Sequence, residues 1–285
     1  MDDGVLQLID LALGEDIGAG DVTALYFVPE TAWSTGVIVA REELVVAGTE
    51  VAREVIRRVD QGIEVEIEMV DGTEAKARDV VMYVAGPTRG ILTAERTVLN
   101  FLQRLSGVAT MTRRFVEAAG GRREGVEILD TRKTTPGWRI LEKEAVRAGG
   151  GGNHRMGLFD QVMVKDNHLL AEGRRGEIQA AIDRVKGERS GMKVELEADT
   201  LEQVETFLEL KGVDVILLDN MSVEDMREAV TMTKRRVRLE ASGGVTLETV
   251  GAIADTGVDY ISVGALTHSA VAVDLALDLE TSDEE

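Results

Sequence analysis

Arginine, lysine and histidine crowd into one stretch of this chain. Asp130-Thr131-Arg132-Lys133-Thr134-Thr135-Pro136-Gly137 is followed by a glycine run at 149–152, then Asn153-His154-Arg155, then Lys165-Asp166-Asn167-His168. Two of the three histidines fall there; the third, His268, stands in another polar turn, Gly264-Ala265-Leu266-Thr267-His268. The formal net charge is −20, so cations gathered in one region of so acidic a chain read as a pocket for an anion.

Chemistry of this kind needs a frame, and the apolar runs supply one. Each ends in a charged or small polar residue: 126–129 before Asp130, 162–164 before Lys165, 193–197 closing on Glu197, and 213–218 before Asp219. The run 237–240 leads into Ala241-Ser242-Gly243-Gly244, and 260–263 leads into Gly264. Short β-branched runs bounded by turn residues are what strands buried on both faces look like. The later ones recur about every 22 residues, room for a strand, a helix and two short loops. Strands alternating with helices imply a parallel sheet, and a series this long favours an α/β barrel. In such a barrel the active site gathers at the C-terminal ends of the strands, where every one of these polar residues falls.

The intervening helices are punctuated by their caps. Asp199-Thr200 precedes Leu201, Val204, Phe207 and Leu208 at helical spacing, with Gly212 beyond; Ser222 precedes Val223, Met226, Ala229 and Val230; Thr246 precedes Leu247, Val250 and Ile253, with Gly257 beyond. A hydroxyl or acid before the first turn and glycine past the last fit short crossover helices.

The first hundred residues read as a separate α+β unit. The pattern predicts a helix over 4–13, a turn over 15–21, strands over 36–40, 44–47, 63–69 and 80–85, and a helix over 51–59. Asp71-Gly72 signals a hairpin between the last two strands. Glu64, Glu66 and Glu68 alternate with Val65, Ile67 and Met69, so that strand wets one face. The stretch 89–119 is mostly helical, and 270–279 reads as a final helix returning to the first domain. This divides the chain into an N-terminal domain over 1–110, completed by a C-terminal helix within 269–285, and a barrel domain over 111–268.

Composition excludes several classes. With 285 residues there is length for two cores, and with no cysteine there is no disulfide, thiol nucleophile or thiolate metal site. The opening Met1-Asp2-Asp3 lacks a basic or long apolar segment, so the expectation is a cytoplasmic chain without a membrane span. Fifty-two acids against 32 bases argue against nucleic-acid binding.

Taken in order, Asp130 to Gly137, Gly152-Asn153-His154-Arg155 and Lys165-Asp166-Asn167-His168 resemble the quinolinate phosphoribosyltransferase family. The likeness extends through Thr93-Ala94-Glu95-Arg96-Thr97, Leu217-Leu218-Asp219-Asn220, Glu240-Ala241-Ser242-Gly243-Gly244 and Val263 to His268, and begins at Glu15-Asp16-Ile17-Gly18. It implies an N-terminal α/β sandwich joined to an open parallel α/β barrel, working as a homodimer or a hexamer of dimers. It also implies transfer of phosphoribosyl from phosphoribosyl pyrophosphate to quinolinate with loss of carbon dioxide. Departures are Trp138, Gly152 and Ala241, where the family pattern has a smaller aliphatic residue, valine and serine. They leave open a related phosphoribosyltransferase, associated with molybdenum-transport loci, that takes another carboxylated acceptor.

By the same resemblance Arg132, Arg155 and Lys165 contact the two carboxylates of quinolinate, with His154 nearby and Arg96 arriving from a neighbouring subunit. Forked or closely placed cations suit that dianion. Lys133 and His268 resemble phosphate-side contacts, and Ser242, Gly243, Gly244 and Gly264 would let main-chain amides approach the 5′-phosphate. Glu197 and Asp219 are hard oxygen donors for Mg²⁺ or ribose hydroxyls. Glu195 shares a strand face with Glu197, so the choice between the two glutamates stays open. Lys133, Glu197 and Asp219 are the residues expected to stabilise charge during transfer. A noncatalytic sensor of phosphorylated metabolites would not need both acids. An aldolase-like Schiff base on Lys165 fits the neighbouring basic motifs less well.

Overall fold

Helix punctuation and strand alternation settle most of the architecture. The structure is a computed structural model that describes residues 1–121, 125–165 and 175–281. Asp166, Asn167 and His168 lie outside the described residues. The chain divides into one unit of Met1–Arg113, Thr134–Gly150 and Leu266–Glu285 and another of Arg114–Lys133 and Gly151–Ala265.

In the first unit, α1 (Asp3–Ile17) is capped by the Asp2 carboxylate, which accepts from the Gly4 main chain, and ends at Gly18 with φ 53°. It therefore runs through Glu15-Asp16, into the first residues of the predicted turn. Asp21 then caps an unpredicted short helix, α2 (Val22–Phe27), by accepting from Ala24 N. Hydrogen bonding to that amide holds the Asp21 carboxyl below its ordinary pKa, with burial opposing.

A four-stranded antiparallel sheet follows. It is built from β1 (Trp33–Ala40), β3 (Glu64–Ile67), β5 (Val80–Pro87) and β12 (Leu275–Thr281), in the order β12-β1-β5-β3. The C-terminal segment expected as a helix is thus strand β12. It does return to the first unit, pairing Gly36 with Leu279 and Ile38 with Leu277. Its sequence Leu275-Ala276-Leu277-Asp278-Leu279 alternates with period two, and that period overrides the good helix propensities of Ala and Leu. Gly36 is required in this register, because a Cβ there would sit 2.7 Å from Leu279 Cδ2 and 3.0 Å from the Asp278 carbonyl.

Asp71-Gly72 does not close a simple hairpin. Between β3 and β5 lies β4 (Glu74–Ala75), which pairs with β2 (Leu44–Val45) in a separate two-stranded sheet. The Asp71 carboxylate is used instead at the start of α3 (Thr49–Val59), accepting from Gly48 N, Thr49 N and Thr49 Oγ1 at 2.7–3.0 Å. Val51, Ala52, Val55 and Ile56 form the buried face of α3, while its exposed face carries the Glu50–Arg53 and Glu54–Arg57 ion pairs.

The long helix α4 (Thr88–Ala118) contributes Val98, Phe101, Leu102 and Leu105 to the core. Helix α5 (Arg139–Ala148) starts at Trp138, whose indole stacks on Phe101 with centroids 4.8 Å apart. That indole therefore packs a helix start. Gly149 lets α5 close on α4, since a Cβ would lie 2.4 Å from the Ala109 carbonyl oxygen, and Arg113 Nε donates to the Gly149 carbonyl. The fully buried Glu142 accepts from Thr135 N, Thr135 Oγ1 and Arg104 Nη2, and so pins the Thr134-Thr135-Pro136 turn.

One close approach gives a stability prediction. A Cβ on Gly107 would sit 2.2 Å from the Val271 carbonyl oxygen, a main-chain atom that cannot rotate away. Alanine would gain about 1 kcal/mol of helix propensity, but overpacking against backbone costs about 3 kcal/mol. Gly107→Ala should therefore shift the urea midpoint downward, with an unchanged slope in the denaturant plot.

Among its described residues the second unit holds six parallel strands: β6 (Glu127–Leu129), β7 (Gln161–Val164), β8 (Lys193–Ala198), β9 (Val215–Asp219), β10 (Arg238–Ser242) and β11 (Tyr260–Ser262). Their order is β6-β11-β10-β9-β8-β7, and Gly152 adds a parallel bridge to Leu129. The crossovers are α6 (Arg175–Glu188), α7 (Leu201–Leu208), α8 (Val223–Thr233) and α9 (Val250–Ala254), and α10 (Ala265–His268) follows β11. Thr200 and Gln203 form a capping box on α7, and Ser222 caps α8. Helix α9 begins at Val250, later than predicted, because Thr246 to Thr249 are spent in a preceding turn in which the Thr246 carbonyl accepts from Thr249 N and Val250 N. Val194, Leu196, Ile216, Leu218, Leu239, Ala241 and Ile261 are buried. Among the described residues no helix is long and apolar enough to cross a membrane.

Candidate active site

The residues that alternate with that apolar set face the other way, and many are polar. In register, Met163 stands beside Glu195, Glu197 beside Leu217, and Asp219 beside Ser242. Two levels of functional groups result, one at the C-terminal ends of the strands and one deeper.

At the upper level Lys165, just past β7, donates to Glu197 on β8, with Nζ 2.6 Å from Oε2. The carboxylate is buried (7% exposed), whereas the lysine side chain is 46% exposed. The pair therefore presents its cationic end to solvent. Asp219 ends β9 half-buried and accepts from Asn220 Nδ2 at 2.8 Å. Asn220 has φ 53°, and its main-chain N–H donates to the Ser242 carbonyl at the end of β10. Gly243 and Gly244 follow with φ 95° and 59°. Gly243 must be glycine, because a Cβ would fall 2.1 Å from Asn220 Oδ1 and 3.0 Å from Asn220 N. Gly264 follows β11. The sequence therefore places Lys165, Glu197, Asp219, Ser242, Gly243, Gly244 and Gly264 at the ends of neighbouring strands.

Arg132 and Arg155 are half-buried in the same unit. Burial first, then the positive charge of Arg132, hold the Arg155 guanidinium below its ordinary pKa. Two cations that disfavour each other in a partly dry setting gain most from a shared dianion. Arg155 Nη2 also lies 3.2 Å from Met163 Sδ. Lys133 is exposed, and its main-chain N–H donates to Thr131 Oγ1.

At the deeper level Asp130, fully buried, accepts from Asn153 Nδ2 at 2.6 Å and from the His154 main chain at 2.9 Å. The Arg155 main-chain N–H donates to His154 Nδ1 at 2.7 Å, and His154 Nε2 lies 3.2 Å from Glu195 Oε2 and 3.5 Å from Glu240 Oε2. Gln161 Nε2 donates to Glu195 Oε2 at 2.7 Å. Burial lowers the imidazole pKa, but hydrogen bonds and charges from the two glutamates outweigh it and would raise it to about 10. That pull meets a geometric obstacle: a second ring proton would stand on Nδ1, against the Arg155 N–H. Burial, the largest cause, likewise pushes the Glu195 carboxyl above its ordinary pKa.

The deeper level was not legible as a site. Asp130 and Glu240 had no assigned role, and Glu195 entered only as a rival to Glu197. The signal was a polar residue at every second position of strands read as apolar, Glu195 with Glu197 on β8 and Glu240 with Ser242 on β10. Gly152 has ordinary backbone geometry; a Cβ would meet the Glu127 carboxylate at 2.2 Å and Leu129 Cδ2 at 2.8 Å. Arg96, exposed on α4, and His268, exposed with Nδ1 2.7 Å from Ser269 Oγ, belong to the first unit.

The profile of the quinolinate phosphoribosyl transferase C-terminal domain matches residues 108–278, and that of the N-terminal domain matches residues 21–106. The chain belongs to the quinolinate phosphoribosyltransferase family. It is 41% identical over 271 residues to a Bacillus subtilis protein named as a probable carboxylating nicotinate-nucleotide pyrophosphorylase, covering 95% of this chain and 91% of the relative. A chloroplastic carboxylating nicotinate-nucleotide pyrophosphorylase of Oryza sativa is also 41% identical, over 96% of this chain and 77% of its own length. The solved nicotinate-nucleotide pyrophosphorylase of Francisella tularensis superposes with a TM-score of 0.89 at 40% identity, covering 98% of this chain and 96% of that one.

Proposed function

We infer that the chain is a quinolinate phosphoribosyltransferase that makes nicotinate mononucleotide, pyrophosphate and carbon dioxide for de novo NAD synthesis. Membership of the family supports the reaction, and the half-buried Arg132 and Arg155 charges carry the choice of a dicarboxylate acceptor. The ring nitrogen attacks C1 of the ribose as the bond to pyrophosphate breaks. The carboxylate beside that nitrogen then leaves as carbon dioxide, its electron pair stays on the ring carbon, and a proton from water replaces it. The attacking nitrogen carries no proton, so no general base is required. Catalysis is alignment of the two substrates and stabilisation of the departing charge.

Arg132, Arg155 and Lys165 hold the acceptor, Lys133 and His268 serve the phosphates, and main-chain groups from Ser242 to Gly244 and at Gly264 approach the 5′-phosphate. Glu197 and Asp219 fit Mg²⁺ in donor type and placement. They are two hard carboxylates at adjacent strand ends, too few for a protein cage and suited to an ion that arrives on phosphates with its water. Bound there, the ion would offset charge on the leaving pyrophosphate. Chelation with EDTA should lower turnover by about 10²-fold or more, with recovery on adding Mg²⁺.

The reading extends to a homodimer, or a hexamer of dimers, in the cytoplasm, with Arg96 from one subunit completing its neighbour's site. Arg96 is exposed, and α2 of the same unit exposes Leu25, Tyr26 and Phe27, an apolar surface suited to a second copy. Mixing Arg96→Ala with Lys133→Ala protein should restore activity at about a quarter of the sites once subunits exchange. No recovery after verified exchange would remove Arg96 from the shared site. The central test is product formation from quinolinate, phosphoribosyl pyrophosphate and Mg²⁺, with nicotinate in parallel. Nicotinate mononucleotide from quinolinate alone is expected; turnover of nicotinate alone, or of neither acid, would overturn the reading.

A further inference from the structure

His154, Glu195 and Glu240 come from a loop and two strands, and their ligand-type atoms all lie within 4.8 Å of one another. Glu195 and Glu240 are 0% and 2% exposed, and the Oε1 atom of each is buried without a hydrogen-bond partner among the described residues. Two dry carboxylates in contact repel strongly unless something stands between them. A metal ion or a proton-bearing ring could do so.

The spacing alone does not choose between them, since 3.2 and 3.5 Å also suit two edges of a tetrahedral zinc site. The ring tautomer does choose. A metal on Nε2 needs the lone pair there, which sends the imidazole proton to Nδ1. Nδ1 is already the acceptor of the Arg155 main-chain N–H at 2.7 Å. The ring proton therefore sits on Nε2 and points at both carboxylates.

We propose that Glu195 and Glu240 are positioning residues, which hold the His154 ring by its Nε2–H so that Nδ1 fixes the Arg155 main chain and aims its guanidinium at the acceptor acid. The geometry is a chain of three links. The strands β8 and β10 place the carboxylates, the carboxylates orient the ring, and the ring accepts from the residue whose side chain binds substrate. Asp130 secures the same segment from the other end through Asn153 and the His154 N–H. Gln161 steadies Glu195 from β7. The functional half of the proposal rests on the acceptor reading above, and the structural half does not.

The test uses nitrogen-15 NMR and steady-state kinetics on the full chain. Only three histidines occur, so their ring nitrogens are separable by substitution. In the unaltered protein His154 should show an Nε2–H ring with a bare Nδ1; an Nδ1–H ring overturns the proposal without any variant. In the double variant Glu195→Met with Glu240→Met both acceptors are lost. The fixed tautomer should disappear, and KM for quinolinate should rise about 10- to 100-fold, with KM for phosphoribosyl pyrophosphate changed less than about threefold. The double variant Glu195→Gln with Glu240→Gln keeps an acceptor oxygen at each position and should restore both the tautomer and KM. Equal rises in both KM values, or an unchanged tautomer in the methionine pair, would sink the idea. Zinc should leave the His154 signals unmoved. A zinc-dependent shift lost in the glutamine pair would overturn positioning in favour of a metal site. Should the tautomer change while KM for quinolinate stays constant, Arg155→Ala separates the causes: a large loss there rejects the positioning link alone, whereas none rejects the acceptor site itself.

Discussion

Arg155→Ala should lower kcat/KM for quinolinate by about 10³-fold, more than any other single change at the acceptor site. The guanidinium is half-buried and raised in energy by Arg132, so it gains unusually from a carboxylate. Removing one partner of a desolvated charge pair costs about 3–5 kcal/mol, and each 1.36 kcal/mol is a factor of ten. The loss should appear mainly in KM for quinolinate, because the carboxylates are present in the ground state as well as during transfer. Lysine at this position should recover little, since a single ammonium cannot supply a planar fork. The check is a KM measurement for each substrate separately; a loss confined to phosphoribosyl pyrophosphate would move Arg155 to the phosphate side.

Glu197→Ala should reduce kcat by about 10²- to 10³-fold, while thermal stability moves little. The two effects separate because they depend on different halves of one ion pair. The Lys165 side chain is 46% exposed, so water screens its charge and the pair contributes only about 0–1 kcal/mol to folding. The carboxylate, 7% exposed at a strand end, is an oxygen donor in a dry setting, where a fixed charge is worth far more to a reacting group. The Mg²⁺ concentration giving half-maximal rate should rise in this variant and stay constant in Glu195→Gln. The opposite pattern would assign the metal-side role to Glu195.

The spacing of apolar runs was sufficient for the second unit. The parallel strands β6 to β11 fall where β-branched runs end in polar residues, and the shortness of those runs and the turn residues that bound them separate them from helices. The strand-end residues Lys165, Glu197, Asp219 and Ser242 were legible for the same reason. The C-terminal segment was not, because its short period-two run of Leu275, Leu277 and Leu279 is built from good helix formers, and its strand partner β1 lies more than 200 residues away in sequence. Asp71-Gly72 misled through a similar gap. Its carboxylate serves α3, more than 20 residues earlier in the chain, and no local pattern records that. The deeper polar layer escaped because Glu195 and Glu240 acquire meaning only when β8 and β10 are laid out in one sheet and His154 is brought between them.

Strand β12 also carries a consequence for synthesis. Its partner β1 leaves the ribosome about 240 residues ahead of it, which at ordinary elongation rates is roughly 10–50 s. Throughout that interval the edge formed by Val37, Ile38 and Val39 has no strand to meet, and a bare apolar edge recruits whatever strand is nearest. The nascent chain therefore passes through a long window in which its first sheet is open to other nascent copies. Full-length protein refolded from urea meets no such delay, because both strands are present from the start. Yield in cells should accordingly respond to elongation speed and chaperone supply far more than refolding yield in the test tube does.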